Sequence, residues 1–155
     1  MRYGHEILQK CIGQRLTNGI FESYYFNGQL SNKIHVTYLK FEKWLHITTT
    51  DFTAISEIET TELEQIKSWT NEDNSRVEFP LTKIEIEFPL FKNLIGRVLI
   101  DFNELYPLEY DECVGLKFYF DNGLTLIQYS DSEENSHFSF DNIIPLNLRE
   151  TTKSI

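Results

Sequence analysis

The chain has 155 residues, of which 24 are acidic and 14 are basic, so its net charge is −10 and its pI is near 4.8. A charge of this sign opposes adhesion to nucleic-acid phosphates and anionic membranes, and we expect neither as a partner. Hydrophobic residues make up 41% and aromatic residues 14%, which excludes disorder over most of the length. We therefore expect residues 1–155 to form a single domain.

The start of the chain and its cysteines predict a cytoplasmic protein. The segment MRYGHEILQKC contains no apolar run of signal-peptide length, and no run of eighteen apolar residues occurs further on. Cys11 and Cys113 lack C-x-x-C spacing. This pattern predicts two reduced, partly buried thiols, with no disulfide and no metal.

The first third of the chain predicts a helical turn followed by four extended segments. The turn covers Tyr3 to Cys11, a strand covers Gln14 to Phe26, and a hairpin covers Ile34 to Asp51 before a last strand, Thr53 to Glu59. A two-residue turn at Glu42-Lys43 would place Tyr38 opposite Ile47. The same register would place these residues together on the reverse face: Leu39, Phe41, Trp44 and His46.

The middle of the chain predicts a connecting helix and a half-buried strand. TTELEQIKSW carries Leu63, Ile66 and Trp69 at helical spacing after a Thr-x-x-Glu capping pattern. TKIEIEF alternates, and its Ile84, Ile86 and Phe88 would share one face of a strand.

The last third of the chain repeats the pattern of the first. A helical turn is predicted at Leu90 to Leu94, with strands at Arg97 to Tyr106 and Ser136 to Asp141. Between them, VGLKFYFDNGLTLIQYSD predicts a hairpin with a type I′ turn at Asn122-Gly123 and Phe118 opposite Ile127. We expect the polar tail after Leu148 to be frayed.

Two sequence matches suggest a duplicated unit. ILQKCIGQRL (7–16) corresponds to LFKNLIGRVL (90–99), and the two hairpins are similar in length. Units of about 5–59 and 89–141 would then superimpose, with Ile12 on Ile95, Tyr38 on Phe118 and Ile47 on Ile127. The predicted fold is α+β, with two diverged β-meander units and short helices sharing one core; the alternative is a β-sandwich or half-open barrel with peripheral helices.

No motif indicates catalysis, a cofactor or a metal. The four histidines lack zinc-ligand spacing, no serine or cysteine lies in a nucleophile motif, and the glycines form no phosphate loop. Glu57, Glu59, Glu133 and Glu134 are expected to be solvated, because nothing marks an apolar pocket beside them. The sequence therefore predicts a protein that is not an enzyme.

The Ile-Gly pair near the start of each unit and the segment GLKFYFDNGLTLIQYSD resemble the small acidic immunity proteins of bacterial polymorphic toxin systems. The resemblance lies mainly in residues 95–141 and implies binding and neutralising a cognate toxin, with no catalytic residues. An acidic protein suits a partner with a basic surface. The alternatives are a self-associating structural or regulatory protein, including a homodimer, and a small hydrolase.

The residues predicted to contact a partner form two sets. Phe41, Trp44 and His46 lie on the reverse face of the first hairpin, where an exposed Trp would serve as an anchor. The second set comprises the acidic residues Glu57, Glu59, Glu133 and Glu134. The competing prediction for Trp44 is that it packs under the connecting helix.

Overall fold

A computed structural model describes residues 1, 3–65 and 68–151, which form two antiparallel sheets with short helices at their periphery. The larger sheet contains β1 (Asn18–Phe26), β2 (Gln29–Lys40), β3 (Trp44–Thr48), β4 (Ala54–Ile58), β5 (Ser68–Thr70), β6 (Arg76–Glu78) and β7 (Leu81–Lys83). The smaller sheet contains β8 (Leu99–Pro107), β9 (Gly115–Phe120), β10 (Thr125–Ser130), β11 (Ser136–Ser139) and β12 (Leu148–Glu150). The helices are α1 (His5–Cys11), α2 (Thr60–Leu63), α3 (Ile84–Glu87) and the 3-10 helix Pro89–Asn93.

The larger sheet curls into a half-barrel with the strand order β4-β3-β2-β1-β6-β5, and β7 also pairs with β1. Its longest hairpin, β1–β2, turns at Asn27-Gly28, where both residues have positive φ (49° and 77°). This is the type I′ geometry, which Asn-Gly favours because it matches the twist of the flanking strands. The half-open barrel with peripheral helices, the alternative predicted from the sequence, is therefore the architecture found.

The smaller sheet, in the order β11-β10-β9-β8-β12, packs against the larger one around a shared core. That core combines side chains from both sheets and from the helices, including Leu8, Leu39, Phe91, Phe102 and Phe118. Hydrogen bonds also cross between the sheet regions, with Thr53 N donating to Cys113 O at 2.8 Å. Both Cys11 and Cys113 are buried free thiols.

The two predicted units have the same strand order, β4-β3-β2-β1 and β11-β10-β9-β8, each preceded by a short helix. They meet at an isolated bridge between Arg15 and Val98. The backbone hydrogen bonds around that bridge occur in corresponding pairs, one bond in each direction between the units. Gly13 N donates to Leu99 O (2.8 Å), and its counterpart Gly96 N donates to Leu16 O (2.6 Å). In the same way, Leu16 N donates to Arg97 O and Leu99 N donates to Gln14 O (both 2.9 Å). The arrangement is that of a local pseudo-twofold, and a common origin of the units stays a prediction.

The registers of both predicted hairpins are wrong by one residue. Each turn is a three-residue loop, so Lys40 pairs with Trp44 and Phe118 pairs with Leu126 instead of Ile127. At the second loop Gly123 has φ 79° whereas Asn122 does not have a positive φ, which excludes type I′. Because side chains alternate along a strand, a one-residue shift moves a residue to the other face.

Residues predicted to be equivalent lie on different faces of their sheets, although both hairpins are shifted by the same single residue. Tyr38 lies in a cluster on the outer face of the larger sheet, whereas Phe118 lies in the shared core. Ile47 belongs to the shared core and Ile127 to a separate cluster on the smaller sheet. The predicted superposition of these two pairs is therefore wrong.

Three other predicted segments also differ. The connecting helix ends at Leu63, Trp69 lies in β5, and Ile66 falls outside the described residues. The alternating segment at Ile84 is a helical turn, because Phe88 N donates to Ile84 O at 2.8 Å, and this turn buries Ile84 while exposing Ile86. The tail is not frayed up to residue 150, since β12 pairs with β8.

Candidate functional site

An open cleft of about 700 Å³ lies on the outer face of the larger sheet. Its floor is formed by side chains of β1, β2 and β3. One side is formed by Glu62 of α2 and by Gln65, and the other carries Trp69 of β5 and Phe79, which follows β6. A cleft of this size and openness admits a protruding side chain or a short peptide segment.

The floor of the cleft carries several polar side chains among apolar ones. Ile20 pairs with Tyr38 and Glu22 pairs with Val36, so Glu22 and Tyr38 lie on the same face of neighbouring strands. Glu22 is only 4% exposed, and the Tyr38 hydroxyl donates a hydrogen bond to its Oε1 at 3.3 Å. His46 pairs with Tyr38 across β2 and β3, and its ring meets the Tyr38 ring edge-on at 5.5 Å.

One wall of the cleft is aromatic. The Phe79 ring stacks on Tyr24, with centroids 5.1 Å apart and planes inclined by 16°, and it lies 5.5 Å from the Trp69 ring and 5.6 Å from His35. Trp69 remains 53% exposed, and its indole Nε1 donates to Asn71 Oδ1 at 2.9 Å, which holds the ring in place. The lining of the cleft therefore includes both an oriented aromatic surface and a buried carboxylate.

Phe41 and Trp44, which the sequence predicted as partner anchors, are interior residues. Phe41 is 3% exposed in the shared core, and Trp44 is 6% exposed in a cluster with Val36, Tyr38 and Leu63. The contact with Leu63 agrees with the competing prediction that Trp44 packs under α2. This burial removes the reason for assigning either residue to an interface. His46, the third member of that set, lines the cleft.

Glu57 and Glu59 lie at the edge of the larger sheet. Glu57 is exposed on β4 and pairs with Lys43 at 3.3 Å, and Glu59 is exposed directly before α2. An exposed ion pair of this kind contributes about 0–1 kcal/mol to stability. Neither residue lines the large cleft, although Glu57 borders a smaller pocket beside α1.

Glu133 and Glu134 are exposed in the loop between β10 and β11. The loop is organised by Asp131, whose Oδ1 accepts the backbone N–H groups of Glu133 and Asn135 at 2.9 and 3.0 Å. Partial burial raises the pKa of Asp131, but the bond from His137 and these backbone donors outweigh it and hold the pKa below its usual value. Asp131 therefore shapes the turn, and the two glutamates are presented to solvent as predicted.

Sequence reasoning missed most of the cleft: Glu22, His35, Trp69 and Phe79 were not predicted as site residues. One signal, Asn27-Gly28, predicts the β1–β2 hairpin, but it does not predict that Glu22 lies beside Val36 and Tyr38, because the pairing shifts register between Glu22 and Tyr25. It does not predict Trp69 and Phe79, whose positions depend on β5 and β6 folding back onto β1.

Two other groups of side chains with reactive chemistry are buried or hydrogen-bonded within the chain. Burial, with smaller contributions from Glu57 and Glu42, raises the pKa of Cys11 to about 11, and burial also raises the pKa of Cys113. Both thiols are therefore protonated at neutral pH, unlike a nucleophilic cysteine. Glu104 accepts the Tyr106 hydroxyl at 2.9 Å and lies 2.7 Å from His5 Nδ1.

Over the residues that the structure describes, no group of three or more His, Cys, Asp or Glu side chains has a metal-binding arrangement. In the same described ranges, no helix has the length and apolar character needed to cross a membrane. Comparison of the chain with protein-family models, with curated proteins and with solved structures found no match.

Proposed function

We propose that this chain is a non-enzymatic protein-binding module that acts as an immunity-type inhibitor of a basic protein, such as a bacterial toxin. The observation that carries the proposal is the open cleft, whose lining includes the exposed Trp69 ring and the side chains of Glu22 and Glu62. Aromatic residues in pockets dominate the energetics of many protein interfaces. Carboxylates beside such a residue favour a partner with positive charge.

The net charge of −10 supports the same proposal at longer range. Exposed Glu57, Glu59, Glu133 and Glu134 add to a negative field that attracts a basic protein and raises the rate of encounter. This field acts mainly on association, whereas contacts in the cleft act on the lifetime of the complex. The two sets of residues therefore have separable roles.

The test is co-expression with the product of each reading frame adjacent to the gene. We expect one of these products to be basic, to arrest growth when expressed alone, and to form a stable complex with this chain that restores growth. Absence of a complex with either product would contradict the proposal. So would turnover of an ester or glycan by the purified chain, which would favour a hydrolase, or a self-associated chain that excludes the basic product.

The contribution of the exposed acidic residues is measured in the same complex. The double variants Glu57→Gln with Glu59→Gln and Glu133→Gln with Glu134→Gln should fold normally, associate more slowly and depend less on salt. The matched control is Glu6→Gln with Glu109→Gln, which removes the same charge from exposed positions elsewhere. Equal slowing in all three variants would show that net charge, and not these four residues, guides association.

A further inference from the structure

A pocket of about 230 Å³ lies at one end of the smaller sheet, beside the cluster that is separate from the shared core. Its lining includes the buried side chains of Val114 and Leu148. Backbone hydrogen bonds connect the segments around it, since Leu108 N donates to Asn147 O at 3.0 Å and Ser130 N donates to Val114 O at 2.9 Å. The ends of four strands, β8, β9, β10 and β12, therefore meet around this pocket.

The rim of the pocket carries exposed apolar side chains. Leu108 and Tyr110 line the pocket and are exposed, and Leu146 is exposed directly before the lining residue Asn147. Exposed apolar groups around a concave site are typical of surfaces that bind another molecule. Because a cavity of about 150 Å³ holds a benzene ring, the pocket has room for one aromatic or aliphatic side chain.

The segments around the pocket are strongly acidic. Residues 107–114 and 130–134 contain six acidic residues, and neither these ranges nor residues 145–148 contain a lysine or an arginine. The six are Glu109, Asp111, Glu112, Asp131, Glu133 and Glu134. The pocket therefore combines an apolar lining with a surround of acidic side chains.

Two of these six carboxylates lie beside a basic side chain. Asp111 lies 3.4 Å from Arg149, and Asp131 lies 2.7 Å from His137. Three others are exposed to solvent: Glu109, Glu133 and Glu134. A twofold contact at this pocket would bring the acidic residues of two copies of the chain together, which like charge disfavours. The charge therefore favours a basic protein as the occupant.

We propose that this pocket is a contact site for the basic partner protein and binds a segment in which one aromatic or aliphatic side chain is flanked by lysine or arginine. This inference rests on the proposed function for the charge of the partner, but it uses no residue of the cleft. The apolar side chain of the partner contacts Leu108, Tyr110 and Leu148, and the flanking cations lie near Glu109 and the loop between β10 and β11.

The probe is an acetylated and amidated Lys-Lys-Phe-Lys-Lys peptide, the phenylalanine peptide. The serine peptide, Lys-Lys-Ser-Lys-Lys, keeps the charge and lacks the ring, and the glutamine peptide, Gln-Gln-Phe-Gln-Gln, keeps the ring and lacks the charge. Binding to the full chain is measured by amide chemical shifts. We expect the phenylalanine peptide to shift amides of residues 107–114 and 130–134 and to bind about tenfold or more tightly than either control peptide.

Leu108→Ala tests the apolar contact. It should weaken binding of the phenylalanine peptide severalfold and leave binding of the serine peptide unchanged, because the serine peptide has no side chain that fills the pocket. The matched control is Leu90→Ala. Leu90 is 60% exposed, against 62% for Leu108, and it lines a different pocket with Leu124, at the opposite end of β10. This control should bind both peptides as the wild type does.

Glu109→Gln tests the charge contact. It should weaken binding of both lysine peptides severalfold and leave binding of the glutamine peptide unchanged. Glu6→Gln, which removes an exposed carboxylate from α1, is the matched control and should have little effect. The two substitutions are made singly here, because only Glu109 lines the pocket.

Several outcomes would overturn the inference. Equal binding of the phenylalanine and serine peptides would exclude the apolar contact, and equal binding of the phenylalanine and glutamine peptides would exclude recognition of the charge. Self-association of the chain that Leu108→Ala abolishes would assign the pocket to a second copy. A partner complex whose dissociation is unchanged by Leu108→Ala and by Glu109→Gln would refute the pocket as a contact while leaving the proposed function intact. Failure of the proposed function is recognised separately, by the absence of any complex with a basic neighbouring product.

Discussion

Gly19 in β1 lies directly against side chains of the helical segment that follows β7. A Cβ placed on Gly19 would lie 2.3 Å from Cζ of Phe91 and 2.9 Å from Cδ1 of Ile84. Both side chains are fully buried in the shared core, so neither has space to move aside. The absence of a side chain at this position therefore lets the 3-10 helix and α3 pack against β1.

We predict that Gly19→Ala lowers the free energy of unfolding by about 1–3 kcal/mol, because the added methyl group overpacks the core. The measurement is urea denaturation at neutral pH. The control is Phe91→Leu in the Gly19→Ala background, which removes the ring atoms that clash and should recover part of the loss. Equal stability of Gly19→Ala and the wild type would show that the packing here is looser than the structure indicates.

Trp44 allows a second prediction at the residue scale. Because its ring is buried against Leu63, Tyr38 and Val36, Trp44→Ala should cost about 3–5 kcal/mol of stability through the cavity it leaves. Trp69→Ala is the matched control, since it removes the same side chain from a half-exposed position and should cost much less. The comparison is made by thermal denaturation. A small loss for Trp44→Ala would return this residue to consideration as a surface anchor.

Among the structural elements, the three-residue loops of two hairpins set the strand registers, and the first of them decides which side chains of β3 reach the cleft. Both loops close one residue away from the two-residue turn that their sequences suggest, at Lys40 with Trp44 and at Phe120 with Leu124. In the second loop, Gly123 takes the left-handed conformation that a three-residue loop requires at its last position.

We predict that Gly123→Val destabilises the protein by about 1–2 kcal/mol, because a β-branched residue is strained at φ 79°. Gly123→Asn should cost less, since asparagine adopts the left-handed region more readily. No other heavy atom lies near a Cβ at this site, so any loss reflects backbone strain and not a clash. An unchanged urea midpoint for the Val variant would mean that the loop geometry is different.

The attachment of β12 gives an element-scale prediction about pH. Burial raises the pKa of Glu150, but the bonds from Tyr119 and Asn103 and the charge of Lys117, 3.5 Å away, outweigh burial and hold the pKa below its ordinary value of 4.5. A carboxylate with a depressed folded-state pKa contributes stability above its unfolded pKa, and that contribution is lost as the pH falls through the folded pKa.

Glu150→Gln should therefore be less stable than the wild type at neutral pH, and the difference should shrink below about pH 4.5. The measurement is the urea midpoint of both proteins from neutral pH to about pH 3. Asp111→Asn is the control, because Asp111 is 92% exposed and its contact with Arg149 is long. A difference that is constant over the whole range would show that Glu150 contributes through packing and not through its charge.

At the scale of the whole molecule, the two sheets share one core and should unfold together. The core cluster contains residues of both predicted units, and backbone hydrogen bonds connect the units directly, both around the bridge between Arg15 and Val98 and from Thr53 N to Cys113 O. We predict a single unfolding transition with the same midpoint by two measurements. Tryptophan fluorescence reports on the larger sheet, and far-ultraviolet circular dichroism reports on both sheets. Separate midpoints would mean that each sheet is stable alone.

Much of the architecture was predictable from local patterns in the sequence. Helical turns before each unit, the strand at Thr53 to Glu59, the strand at Ser136 to Asp141 and a positive φ at Gly123 were all confirmed. These features depend on alternation, on proline at a helix start and on glycine in a turn, and such signals act over a few residues. These features can therefore be predicted from a single sequence.

The strand registers and the cleft were decided only by the tertiary structure. Whether Trp44 and His46 face the same side as Tyr38 depends on a shift of one residue in the register. Because both faces of the hairpin are apolar, the sequence pattern does not determine that register. Trp69 lies beside Phe79 because β5 pairs with β6, and this pair joins the cleft because β6 pairs with β1, a strand far away in the chain. The sequence alone determined the helical turns before the two units, most of the long strands and the overall charge, because these follow from neighbouring residues and composition. The tertiary structure decided which side chains meet in the cleft, because long-range pairing selects one face of each strand for the interior and leaves the other to line the cavity.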